Sequence, residues 1–122
     1  MGGNSSERNE SLIMGNDCVK ALQALGYSNV RAIDVKEDFS CLPSSISQFG
    51  PELVFNAMQG GFGENGALCG MLDCLNIPYT HSGQLATATQ MDKIVAKTIV
   101  AENGVLGKTY IVLIIHTEII IC

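Results

Sequence analysis

Basic residues are scarce in this chain: 7 lysines and arginines stand against 12 aspartates and glutamates, a formal net charge of -5. With no basic patch anywhere, it has no electrostatic basis for holding nucleic acid or an anionic membrane surface. Long apolar runs are missing too. The longest, Tyr110 to Ile115, is far too short to span a bilayer, and the polar opening MGGNSSERNE lacks the apolar core of a signal peptide. A cytoplasmic chain with no membrane partner is expected. The cysteines, Cys18, Cys41, Cys69, Cys74 and Cys122, include no C-x-x-C pair, and Cys69 and Cys74 stand at a poor spacing for facing each other on one helix. Small buried residues in a reducing compartment are therefore expected, rather than metal ligands or redox centres. Neither His81 nor His116 has a neighbouring carboxylate or cysteine that would mark a triad or a zinc site. His81 is expected to shape the turn it sits in.

What is present describes one globular domain: 122 residues, 47% hydrophobic and 16% charged. The chain is organised around Leu53 to Lys93. A short apolar run, Leu53-Val54-Phe55, has the composition of a buried strand and breaks into the glycine cluster Gly60-Gly61-Phe62-Gly63-Glu64-Asn65-Gly66. Leu68, Met71, Leu72 and Leu75 then recur at i, i+3, i+4 and i+7, Asn76 ends that pattern, and Ile77 to Thr80 reads as a second strand. Strand, glycine loop, helix and strand together predict a right-handed crossover in a parallel sheet. Upstream, Leu12, Val19, Leu22 and Leu25 trace the apolar face of a helix from about Asn9 to Leu25, closed by Gly26. Val30 to Val35 reads as a strand and Pro43 to Phe49 as a short helix. Downstream, Leu85 to Gln90 and Asp92 to Asn103 read as helices, with Asp92 as N-cap of the second and Ile94, Val95, Thr98, Ile99 and Val100 as its apolar face.

Gly61-x-Gly63-x-x-Gly66 matches the dinucleotide fingerprint in its proper strand-to-helix setting. The same fingerprint wants a carboxylate at the end of the next strand to hold the ribose hydroxyls. That strand ends Tyr79-Thr80-His81-Ser82, without one. This argues against a nicotinamide or flavin site and leaves open glycines that merely permit tight turns.

Five segments occur in the order and approximate spacing of a known family: Gly2-Gly3-Asn4-Ser5-Ser6-Glu7-Arg8, Val54-Phe55-Asn56-Ala57, Gly63-Glu64-Asn65-Gly66, Ile77-Pro78-Tyr79-Thr80-His81-Ser82-Gly83 and Met91-Asp92-Lys93. Over about residues 2 to 105 the chain resembles the N-terminal, pre-ATP-grasp domain of D-alanine-D-alanine ligases, with 106 to 122 as a linker and an unmatched apolar tail. The resemblance implies an α/β fold, a three-layer Rossmann-like parallel sheet flanked by helices, here without its first strand. It implies ATP and magnesium as cofactors and D-alanine as substrate. One D-alanine carboxylate is phosphorylated, and the amine of a second attacks the acylphosphate to form the dipeptide of peptidoglycan. Glu7 is then expected to hold the first substrate's ammonium group, with Ser11 and Gln59 in the same substrate site, and Lys93 to reach the nucleotide phosphates. Outside the resemblance, Glu7 reads as a carboxylate at a helix N-terminus and Lys93 as a solvated charge.

Two departures stand near that site. Glu10 replaces a small apolar residue of the family pattern, and Gln59 replaces a histidine, so the group there still hydrogen-bonds but does not titrate near neutral pH. The groups that would surround the phosphates are absent from this sequence, so the chain by itself is expected to be inactive. Other readings stay open: a non-catalytic interaction module or decayed fragment, including a homodimer, and a small nucleotide-binding domain using the glycine loop. The tail from Tyr110 to Ile115 is β-prone and uncharged, and is expected to insert where the first strand is missing.

Overall fold

A computed structural model describes residues 1–36 and 38–105. Five helices follow one another: α1 (Arg8–Ala24), α2 (Leu42–Phe49), α3 (Ala67–Cys74), α4 (Gln84–Met91) and α5 (Lys93–Glu102), with a 3-10 turn at Gly61–Gly63 before α3. Each stop has a local cause. Tyr27 N–H reaches back to Leu22 O past Gly26, whose φ is +93°, and the left-handed Asn76 (φ 54°) lets Ile77 N–H close onto Leu72 O. Asp92 caps α5, its Oδ1 accepting the N–H groups of Ile94 (2.9 Å) and Val95 (3.1 Å). No helix among the described residues is long and apolar enough to cross a membrane.

Strands are sparser than the sequence predicts. Among the described residues pairing is confined to two isolated parallel bridges, Gly2 with Val35 and Val54 with Tyr79. The second is the parallel contact expected across the glycine loop and α3. Leu53 and Phe55, read as buried, are 56% and 50% exposed. They open onto a cavity that runs between the extended segments 29–35 and 53–57, so the strands lack a neighbour there. The tail segment Tyr110 to Ile115, with His116 and Cys122, lies outside the described residues.

The core gathers Val35, Leu42, Ile46, Met58, Leu68 and Leu72, with Phe39, Phe62, Ile77 and Tyr79 packed against it. The face of α1 behaves differently. Leu12, Val19 and Leu22 are only half-buried and Leu25 is exposed, whereas the fully covered positions are Ser11 and Gly15. Two small residues one turn apart let the helix approach the backbone beneath it. The apolar face of α5 is likewise uncovered: Ile94, Val95, Thr98, Ile99 and Val100 are all exposed and the helix buries none of its residues among those described.

Candidate functional site

The loop before α1 and the loop before α3 meet. Ser5 Oγ donates to Gln59 O at 2.6 Å and accepts Glu7 N–H at 3.2 Å. Glu7 is the N-cap residue of α1, yet its side chain makes no capping bond. Its carboxylate lies instead against Gly60: a Cβ built there would stand 2.5 Å from Glu7 Oε2 and 3.1 Å from Ser5 Cβ. Gly60 also has φ +68°. Only glycine satisfies both demands. Among the described residues Glu7 has no ion-pair partner.

Of the four residues singled out from sequence, Glu7 and Gln59 are brought to this junction, Gln59 through its backbone carbonyl. Its amide makes only a long contact, 3.7 Å, to Met14 Sδ. Ser11 lies below, fully buried, and its hydroxyl is already engaged twice: it accepts Gly2 N–H at 2.8 Å and donates to Ala57 O at 2.7 Å. That ties the first loop and α1 to the segment feeding the glycine loop. Lys93 is exposed on the first turn of α5, and no hydrogen bond or ion pair joins it to either loop.

The glycine loop turns its donors inward. Gly63 N–H bonds Gly60 O, Glu64 N–H and Asn65 N–H both bond Gly61 O, and Ala67 N–H bonds Asn65 Oδ1. Gly60 N–H is taken by Glu64 Oε2 at 2.7 Å. A phosphate cradle needs free amides and a positive field; here the amides of Gly60, Gly63, Glu64, Asn65 and Ala67 are paired and two carboxylates, Glu7 and Glu64, flank Gly60. Those two carboxylates set a negative field at Gly60, which opposes a phosphate there and the glycine-loop nucleotide reading with it. No group of three or more His, Cys, Asp or Glu side chains able to hold a metal ion occurs among the described residues. Among the described residues a nucleotide would therefore have Lys93, and magnesium no cluster of three such ligands.

Several supporting groups carry no sequence motif of their own. Asn56, buried, donates to Gly63 O at 2.8 Å and accepts Met58 N–H at 3.0 Å, fastening the loop to the segment before it. Phe62 stacks on Phe39 with centroids 4.3 Å apart. Arg8 forks onto Asp34 (2.7 and 3.0 Å) and donates to Gly3 O and Val35 O, fixing the first loop to the first bridge. Hydrogen bonding from Lys36, and then from Arg8, holds the Asp34 carboxyl below its ordinary range. His81 serves its turn as expected: Nδ1 lies 3.0 Å from Thr80 Oγ1, and the ring stands edge-on to Phe55. The expectation of buried cysteines holds for Cys69; Cys18 is half-buried, and Cys41 and Cys74 are exposed.

No protein-family model matches the chain. It is 50% identical over 105 residues to the D-alanine-D-alanine ligase of Chelativorans sp. (strain BNC1), a match covering 86% of this chain and 33% of that enzyme. The chain is homologous to D-alanine-D-alanine ligase. D-alanine-D-alanine ligase B of Brucella suis biovar 1 (strain 1330) is 48% identical over 106 residues, covering 87% of this chain and 33% of the relative. Among solved structures, the D-alanine-D-alanine ligase of Bacillus anthracis complexed with ATP superposes with a TM-score of 0.72 at 28% identity, covering 85% of this chain and 34% of that one. The chain thus spans about a third of the length of the ligases it matches.

Proposed function

We propose that residues 1–105 are the N-terminal domain of a D-alanine-D-alanine ligase, a three-layer Rossmann-like unit that contributes the first D-alanine subsite, and that this chain does not ligate by itself. The observation that carries the reading is Glu7: a carboxylate at a helix N-terminus that neither caps nor pairs, held over a glycine that leaves room beside it. A carboxylate so placed binds an ammonium group through charge-assisted hydrogen bonds. Ser11 acts beneath it by fixing the loop, and Gln59 by its carbonyl bond to Ser5. Lys93 extends toward the nucleotide from the edge of the domain, while the remaining phosphate and magnesium groups belong to the parts of the ligase that this chain does not match. Peptidoglycan synthesis in the cytoplasm is the setting this implies.

D-alanine titrated into the labelled chain should shift the amide resonances of Glu7, Gln59 and Gly60. Glu7→Gln should weaken that binding about 10- to 100-fold, the value of a charge-assisted hydrogen bond, while leaving the remaining spectrum in place. An unchanged affinity in Glu7→Gln would refute the substrate role. The same pair joined to a complete ligase C-terminal portion and assayed with D-alanine, ATP and magnesium reports whether the subsite supports dipeptide formation.

A second reading, a self-associating interaction module, has its own observation. Ile13 is 66% exposed on α1 beside Met14, where a shallow apolar hollow of about 510 Å³ lies. Self-association through that face is independent of Glu7, which separates it from D-alanine binding.

A further inference from the structure

The peptide group between Gln59 and Gly60 is held at both ends. Its carbonyl accepts the Ser5 hydroxyl at 2.6 Å, and its N–H donates to Glu64 Oε2 at 2.7 Å. A peptide group is planar, so fixing both polar ends fixes the orientation of the whole unit. The need for this is local. Gly60 is buried with φ +68°, and the side chain it lacks would meet Glu7 Oε2 at 2.5 Å. Glycine gives the carboxylate its room, but it brings backbone freedom with it, so the peptide before it is free to turn over unless something holds it. Turning it over would break two hydrogen bonds and set the Gln59 carbonyl oxygen against the Glu64 carboxylate.

The bonds also run in one direction. Glu64 accepts Gly60 N–H, the carbonyl of that same peptide accepts Ser5 O–H, and Ser5 Oγ in turn accepts Glu7 N–H at 3.2 Å. Each bond polarises the next in the same sense, so the chain strengthens from Glu64 toward the backbone of Glu7. The near end of the chain is well anchored. Glu64 is half-buried and enters no ion pair among the described residues, which leaves its carboxylate to the Gly60 amide. Its own backbone is set by the 3-10 turn, where Glu64 N–H bonds Gly61 O and Phe62 stacks on Phe39.

We propose that Glu64 is a positioning residue of the D-alanine subsite: by holding Gly60 N–H it locks the Gln59–Gly60 peptide against which Glu7 rests, and so fixes where the Glu7 carboxylate meets an ammonium group. This rests on the reading of Glu7 as the ammonium-binding group. Glu64 itself touches no substrate. What it supplies is an acceptor oxygen at the right reach, and the acceptor rather than the charge is what the peptide needs, since an amide oxygen placed there accepts the same N–H.

Two substitutions separate reach from charge in D-alanine titrations of the full labelled chain. Glu64→Gln keeps the acceptor and the reach and should bind within about threefold of the wild type, whereas Glu64→Asp keeps the charge, falls one methylene short and should bind about tenfold more weakly. Ser5→Ala cuts the other end of the same peptide and should also weaken binding about tenfold; combined with Glu64→Asp it should add no more than about twofold, where independent groups would multiply to about a hundredfold. Without D-alanine, the Gly60 amide proton should lie downfield in the wild type and in Glu64→Gln and lose that shift in Glu64→Asp, while the α3 resonances stay in place. Wild-type affinity in Glu64→Asp, a tenfold loss in Glu64→Gln, or multiplying effects of Ser5→Ala and Glu64→Asp would each overturn the proposal and leave the role of Glu7 standing. An affinity unchanged in Glu7→Gln removes the subsite itself, and the proposal with it.

Discussion

Ser11→Ala is expected to lower the unfolding free energy by about 2–4 kcal/mol, since it leaves two buried partners without a hydrogen bond at about 1–3 kcal/mol each. The hydroxyl is 0% exposed, and both groups it serves, Gly2 N–H and Ala57 C=O, lie in buried residues. Alanine removes the partner without opening a path for water to replace it. Urea unfolding followed by circular dichroism reads the effect as a shift of the midpoint at unchanged slope. A shift below about 0.5 kcal/mol, the range of ordinary surface substitutions, would show that the hydroxyl is free for another purpose, substrate contact included. Native domains hold only about 5–15 kcal/mol in reserve, so the expected loss is a large fraction of what keeps the loop and strand together.

Gly2→Ala should be comparably damaging, by about 2–5 kcal/mol when the left-handed penalty of roughly 1–2 is joined to an overpacking cost of roughly 1–3. Gly2 has φ +87°, and an added Cβ would lie 2.7 Å from the backbone carbonyl of Val35 and 2.5 Å from both the Arg8 guanidinium and the Asp34 carboxylate. The side chains could swing aside, but Val35 O is held by Gly3 N–H and Arg8 in the same bridge. The substitution therefore prises the first loop off its partner segment. The same urea titration measures it, and a midpoint within error of the wild type would mean that the bridge at Gly2 is not a fixed feature of the domain.

The helices were legible because their signals are local. Asp92, Gly26 and Asn76 mark ends through bonds made within a few residues, and the boundaries of α1, α2, α4 and α5 lie within a residue or two of those read from apolar spacing. Glu7 and the glycine cluster stood out by type, and the loops that bring them together were visible as loops. The pairing between them was not, because Ser5 with Gln59, Arg8 with Asp34 and Ser11 with Ala57 join residues 26 to 54 positions apart. Ser11 is instructive: spacing draws attention to Leu12, Val19 and Leu22, whereas the helix turns its small residues to the backbone and leaves Val19 and Leu22 at the cavity. The glycine fingerprint, already doubtful for want of a carboxylate after the next strand, is limited for a related reason. Its residue types match, but the direction of its amides depends on Glu64 and the 3-10 turn, which no spacing reveals.

Cys69 supplies the domain with an internal clock. Its thiol is 2% exposed, lodged 3.7 Å from Ser82 O and 3.9 Å from Thr87 Oγ1 where α3 meets the turn before α4, while Cys41 and Cys74 stand open. A thiol reagent under native conditions should label the two open cysteines at once and Cys69 only when that corner parts. The ratio of its labelling rate to that of an unfolded thiol then yields the free energy of parting α3 from α4. Set beside the global value from urea, it tells whether the crossover helix lets go separately or only with the whole domain.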